Sequence, residues 1–112
     1  MDENEDLESK SIQIATQVII HAGNARSLVY EAFKEVENEN FPACEAKLVQ
    51  AQEEISSAHN VQTEMIQAEA RGEKVQFSLL LTHAQDTLMI AMSELQMARH
   101  MVSIVKKLKS NK

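Results

Sequence analysis

The chain has 112 residues, of which 44% are hydrophobic but only 4% aromatic, with no Trp, so one domain with a core packed by Ala, Leu, Ile and Met is the natural size. A formal net charge of −6 excludes a nucleic-acid binder built on a basic face, and two Gly and one Pro exclude a turn-rich β fold. Cys44 is the only cysteine and makes no internal disulfide, no apolar run approaches the roughly 20 residues that span a bilayer, and the opening MDENEDLESK lacks a signal-peptide layout, so the expected setting is the cytoplasm.

Taken in chain order, residues 1–8 read as a flexible acidic start, followed by a single helical domain over 9–109 with helices near 9–38, 42–70 and 77–109. In the first helix Ile12, Ala15, Ile19, Ala22, Val29, Phe33 and Val36 form one apolar stripe, and Ile14, Val18, Ala25, Leu28 and Ala32 a second. Gly23 lies inside this helix at a cost of about 1 kcal/mol relative to Ala, which predicts a close approach by a neighbouring helix or by a ligand. Glu37 to Asn40 end the helix, and Pro42 suits the first position of the next. Cys44, Leu48, Ala51, Ile55, Ala58 and Met65 give the second helix one stripe, and Gly72 is its expected C-terminal cap. On that stripe Cys44 reads as a small buried hydrophobe rather than a nucleophile.

The third helix has two faces to bury. Leu81, Ala84, Leu88, Ala91, Leu95, Ala98, Val102 and Val105 form the stripe of a bundle helix, while Leu79, His83, Asp86, Ile90, Met97 and Ile104 fall on another, roughly 140° round the axis. Three long helices with two short loops predict an all-α, up-down-up three-helix bundle. Extra apolar faces on the first and third helices point to a second subunit or a partner, with His83 and Asp86 set into the covered face. A carboxylate there needs a cation, a hydrogen-bond network or a proton. Lys106, Lys107, Lys109 and Lys112 gather where the macrodipole of the last helix favours cations. His21, His59 and His100 share no i, i+4 spacing with one another and read as structural or surface residues.

The segment His83-Ala-Gln-Asp86, preceded by Ser78-Leu-Leu-Leu-Thr82 and followed after Thr87 by Leu88-Met89, resembles the active-site signature of the enzyme IIA component of the lactose/cellobiose (chitobiose) family of the bacterial phosphoenolpyruvate-dependent sugar phosphotransferase system. Ile19-Ile-His-Ala-Gly-Asn-Ala-Arg-Ser-Leu28 is similar to that family's first-helix pattern and Asn60-Val-Gln-Thr-Glu-Met-Ile-Gln67 to its second-helix ending, so the resemblance covers nearly the whole chain. It implies a phosphocarrier in which His83 accepts a phosphoryl group on its tele nitrogen from the general histidine phosphocarrier protein. It then passes the group to a cysteine of the cognate IIB component, ahead of uptake of a β-disaccharide through IIC.

The resemblance further implies a homotrimer, a stabilising role for Gln85 toward the phosphoryl group, and a Mg²⁺ ion held at the trimer axis by one Asp86 from each subunit. Two positions depart from the family pattern: Thr87 stands where a second His is frequent, and His21 where Asn is common. Asn24, Arg26 and Ser27 lie near Gly23 as candidates to line a phosphate cleft, with an ordinary salt bridge as the plainer role for Arg26. From periodicity alone a different function stays open, a non-catalytic trimeric helical adaptor in which His83 and Asp86 form an interface polar or metal site.

Overall fold

A computed structural model describes residues 3–75 and 78–111, and among these every regular element is an α-helix. Helix α1 spans Glu3–Glu37, α2 spans Phe41–Ala70 and α3 spans Leu79–Ser110, in a rod of 66 × 22 × 19 Å. Cross-helix polar contacts fix the directions. Lys47 reaches back to Glu31 and His21 to Glu54, so α2 runs against α1; Lys106 pairs with Glu45 and Lys109, further along, with the earlier Glu39, so α3 runs against α2. The result is the expected up-down-up bundle, with α1 packed most extensively against α2 and α2 least against α3.

The first helix starts earlier than its apolar pattern predicts: residues 3–8 are helical rather than a loose lead-in, while Met1 and Asp2 lie outside the described residues. The α1–α2 turn closes with Asn40 N–H donating to the Glu35 carbonyl and Glu39 N–H to that of Val36, which places Glu39 at φ +59. Asn40 then caps α2 by accepting from the Ala43 amide at 3.1 Å, and Pro42 is the second helical residue rather than the first. The α2 end repeats the closure, with Gly72 at φ +85 in the left-handed position where a Cβ is costly. The expected start of the third helix at Phe77 lies outside the described residues; Ser78 caps α3 through its Oγ, which accepts from the Leu81 amide at 3.0 Å.

One core runs the length of the rod, built on three seams whose spacing alternates between three and four. Ser11, Ala15, Val18, Ala22, Ala25, Val29 and Ala32 supply α1; Cys44, Leu48, Ala51, Ile55 and Ala58 supply α2; Leu81, Ala84, Leu88, Ala91, Leu95, Ala98 and Val102 supply α3. This is heptad packing, with Ala at half or more of the buried positions on α1 and so allowing close helix approach. The α2 and α3 seams are those read from the sequence, except that Met65 and Val105, expected on them, are only half-buried. The two α1 stripes merge, however: the buried line takes Ala15, Ala22 and Val29 from one and Val18, Ala25 and Ala32 from the other, leaving Ile12 exposed and Ile14, Ile19, Leu28, Phe33 and Val36 half-buried. A helix packed against two neighbours buries a wide arc, and the 3.5-residue repeat decides which positions lie deepest.

Candidate functional site

The Ser78 cap fixes where α3 begins, and with it the position of His83 in the second turn. The Thr82 hydroxyl donates to the Ser78 carbonyl at 3.1 Å and the Thr87 hydroxyl to the His83 carbonyl at 2.8 Å, so both threonines are engaged with the helix backbone. Thr87 therefore directs its hydrogen away from the imidazole of the preceding turn. His83 is exposed, and its ring pairs with no other described side chain. A neutral imidazole in that state keeps a lone pair open to an incoming electrophile.

Exposed apolar residues share the outer surface of α3 with His83. Leu79 is 86% exposed, and Leu80, Met89 and Ile90 are exposed as well. Asp86, also exposed, shares this face and has no ion pair or hydrogen bond to its carboxylate among the described residues. Gln85 is different: it is half-buried and two positions from His83, which sets it about 200° round the helix. An amide from Gln85 does not meet the imidazole of its own chain.

Within this chain Asn24 and Arg26 are engaged by α2 and α3 away from His83. Arg26 holds Glu94 through two contacts, Nε to Oε2 at 3.2 Å and Nη2 to Oε1 at 3.0 Å, which ties α1 to α3. With that pair taken as level, His83 stands opposite Ala15, about eleven residues or about 16 Å nearer the start of both helices. Asn24 donates to Glu54 Oε1 at 3.4 Å, and the His21 Nδ1 lies 2.6 Å from Glu54 Oε2. His21 thus forms an α1–α2 bridge, a role that residues 33 apart in sequence do not announce. Gly23 is exposed, and a Cβ built on it meets nothing within 4 Å, so the close approach expected there is not made inside this chain.

Two concavities lie elsewhere. A cleft of about 610 Å³ between the start of α1 and the end of α2 is lined by Leu7, Lys10, Ile14, Met65, Arg71 and Val75, and a groove of about 510 Å³ between α2 and α3 by Leu48, Arg99, Val102 and Lys106 among others. Neither includes His83, Gln85 or Asp86. Within one chain no three His, Cys, Asp or Glu side chains converge as a metal site among the described residues, and no helix there is long and apolar enough to cross a membrane. Cys44 is fully buried on the α2 seam, and burial pushes its thiol pKa up, consistent with a packing role.

Comparison with known proteins places this face in context. Residues 13–106 match the family model described as the lactose/cellobiose-specific IIA subunit of the PTS system. The chain is 43% identical over 105 residues to the lichenan-specific phosphotransferase enzyme IIA component of Bacillus subtilis, covering 94% of this chain and 92% of that protein. It is 36% identical over 108 residues to the N,N'-diacetylchitobiose-specific EIIA component of Escherichia coli K12, covering 96% and 90%. Its fold is similar to the crystal structure of the cellobiose-specific enzyme IIA of Bacillus anthracis, with a TM-score of 0.85 and 41% identity over 91% of this chain and 94% of that one. It is also similar to a chain in the solution structures of the IIA(chitobiose)–HPr complex, with a TM-score of 0.78 and 33% identity over 88% and 96%.

Proposed function

The chain belongs to the lactose/cellobiose-specific IIA subunits of the sugar phosphotransferase system, components of a phosphoryl relay rather than complete enzymes, and from that premise we propose that His83 is its phosphoryl acceptor. One observation supports this most directly: an exposed imidazole without a side-chain partner among the described residues, on the α3 face that also carries exposed Leu79 and Ile90, inside the matched region. The donor is the general histidine phosphocarrier protein, the kind of partner named for the chitobiose relative. The His83 ring nitrogen attacks phosphorus in line as the donor's N–P bond breaks, and the new N–P bond later breaks as a IIB cysteine thiolate takes the group. The sugar enters through the cognate IIC component. The lichenan and chitobiose relatives favour a β-linked disaccharide or short oligosaccharide, handled from the cytoplasm.

The same reading makes the protein a homotrimer in which the outer face of α3 is covered by other copies. Exposed Leu79, Ile90, Met97 and Ile104 supply the apolar area for that contact. Gln85 then acts on the phosphohistidine of a neighbouring subunit. The donor chemistry at Asp86 fits Mg²⁺: one carboxylate per chain, repeated by threefold symmetry, offers hard oxygen ligands to a hard divalent ion and relieves three like charges.

The test is intact-mass analysis after incubation with phosphoenolpyruvate, enzyme I and the phosphocarrier protein. One added phosphoryl group is expected, acid-labile and absent both in His83→Ala and when the phosphocarrier is omitted. Folded protein that takes up none beside active upstream components refutes the relay role and leaves the structural adaptor.

A further inference from the structure

The inner seam of α3 keeps strict heptad register from Leu81 through Leu88 and Leu95 to Val102, all buried, so this helix follows a 3.5-residue period over three heptads. Counted on that period, the outer face resolves into two lines. His83, Ile90, Met97 and Ile104 recur every seven residues, and between them so do Leu79, Asp86, Ser93 and His100. The first line is apolar after His83; the second carries polar groups at regular height. His100 is therefore the counterpart of Asp86 two heptads on, about 21 Å along the helix.

His100 is exposed, its ring pairs with no other described side chain, and it is bordered by Met97, Met101 and Ile104, each about half exposed. We propose that three copies of His100 meet on the α3 axis and form a second metal site, for a borderline transition-metal ion of the Zn²⁺ class. The proposal rests on the trimer described above, since one chain supplies a single ligand. Threefold symmetry supplies the other two.

Three neutral imidazoles around an axis are a known zinc donor set, with Zn–N about 2.0–2.1 Å and a fourth position left for water. The two polar layers then sort ions by donor softness: carboxylate oxygens at Asp86 for a hard cation, imidazole nitrogens at His100 for a softer one. The apolar layers of Met97 and Ile104 border the imidazole layer and restrict water. Lys107, one heptad further, stands in the last turn of the helix.

Native mass spectrometry of the full chain equilibrated with zinc sulfate and then desalted tests this directly. The expected spectrum is a trimer carrying one zinc, with the zinc lost but the trimer kept in His100→Ala, and with both kept in His83→Ala. A zinc-free wild-type trimer, or a trimer that retains its zinc in His100→Ala, overturns the site and leaves the assembly standing. Folded wild-type protein that is monomeric at micromolar concentration overturns the assembly and the site together.

Discussion

Helix α3 carries two seams of equal period and opposite character. The inner one alternates Leu with Ala and contains no polar group from Leu81 to Val102, and it is sealed by α1 and α2. The outer one sets Ile90, Met97 and Ile104 beside Asp86, Ser93 and His100, all exposed among the described residues. The contrast separates two tasks on one scaffold. Small residues facing inward let the helices close tightly and hold the fold; large apolar residues interrupted by polar ones at fixed height suit a specific encounter with another surface. His83 belongs to the outer line while its height is set by the inner one.

The largest expected effect tests the inner seam. Leu88→Ala removes a fully buried side chain and leaves a cavity between helices, so unfolding free energy should drop by about 2–5 kcal/mol in urea titrations. That loss should be the same at low and high protein concentration, because the packing is within one chain. A loss below about 1 kcal/mol would mean that the inner seam is not what holds the bundle.

The outer seam should answer in the opposite way. Exchanging Ile90 and Met97 together for Ala truncates two exposed side chains, so helicity should persist and the intrinsic stability of the isolated chain should change by about 0.5 kcal/mol or less per site. What should fall is the concentration-dependent part of the stability and the sedimentation mass. If the double substitution instead lowers stability equally at every concentration, the outer face packs within the chain and the contrast between the seams disappears.

How far the sequence alone draws this contrast depends on the element. The α2 and α3 seams are legible because Leu, Ile and Ala recur at three and four between mostly polar residues. On α1 the apolar residues cover too wide an arc; Ile12 and Ala15 look alike in a periodic count, and only the positions of α2 and α3 leave the first exposed and the second fully buried. Gly23 signals a close approach without saying which molecule makes it, and no neighbour in this chain does. The ties from Arg26 to Glu94 and from His21 to Glu54 join residues 68 and 33 apart, beyond the reach of local spacing. At the site, periodicity puts His83 and Asp86 on one face, but the roles proposed for them rest on the resemblance of the HAQD stretch. A side chain open to solvent looks the same whether it awaits a phosphoryl group or a neighbouring subunit.

The smallest effect concerns how dry the inner seam is. Cys44 is fully buried there, and loss of water around the thiol is the main reason its pKa is raised, with Glu45 adding to the shift. In the unfolded chain the same thiol ionises at its ordinary value of 9.0. Below that pH both states hold the proton and the group adds no pH dependence. Between the unfolded and the folded values, the unfolded chain releases the proton while the folded chain keeps it, so stability must fall as pH rises through this window. Comparing urea midpoints at neutral and alkaline pH for the wild type and Cys44→Ala isolates the thiol, since all other titrating groups are common to both. The wild type should lose more stability on going alkaline, by at most about 1.4 kcal/mol for each pH unit that separates the two values. Equal slopes would place water beside Cys44, and the inner seam would then differ from the outer one in composition alone rather than in exclusion of solvent.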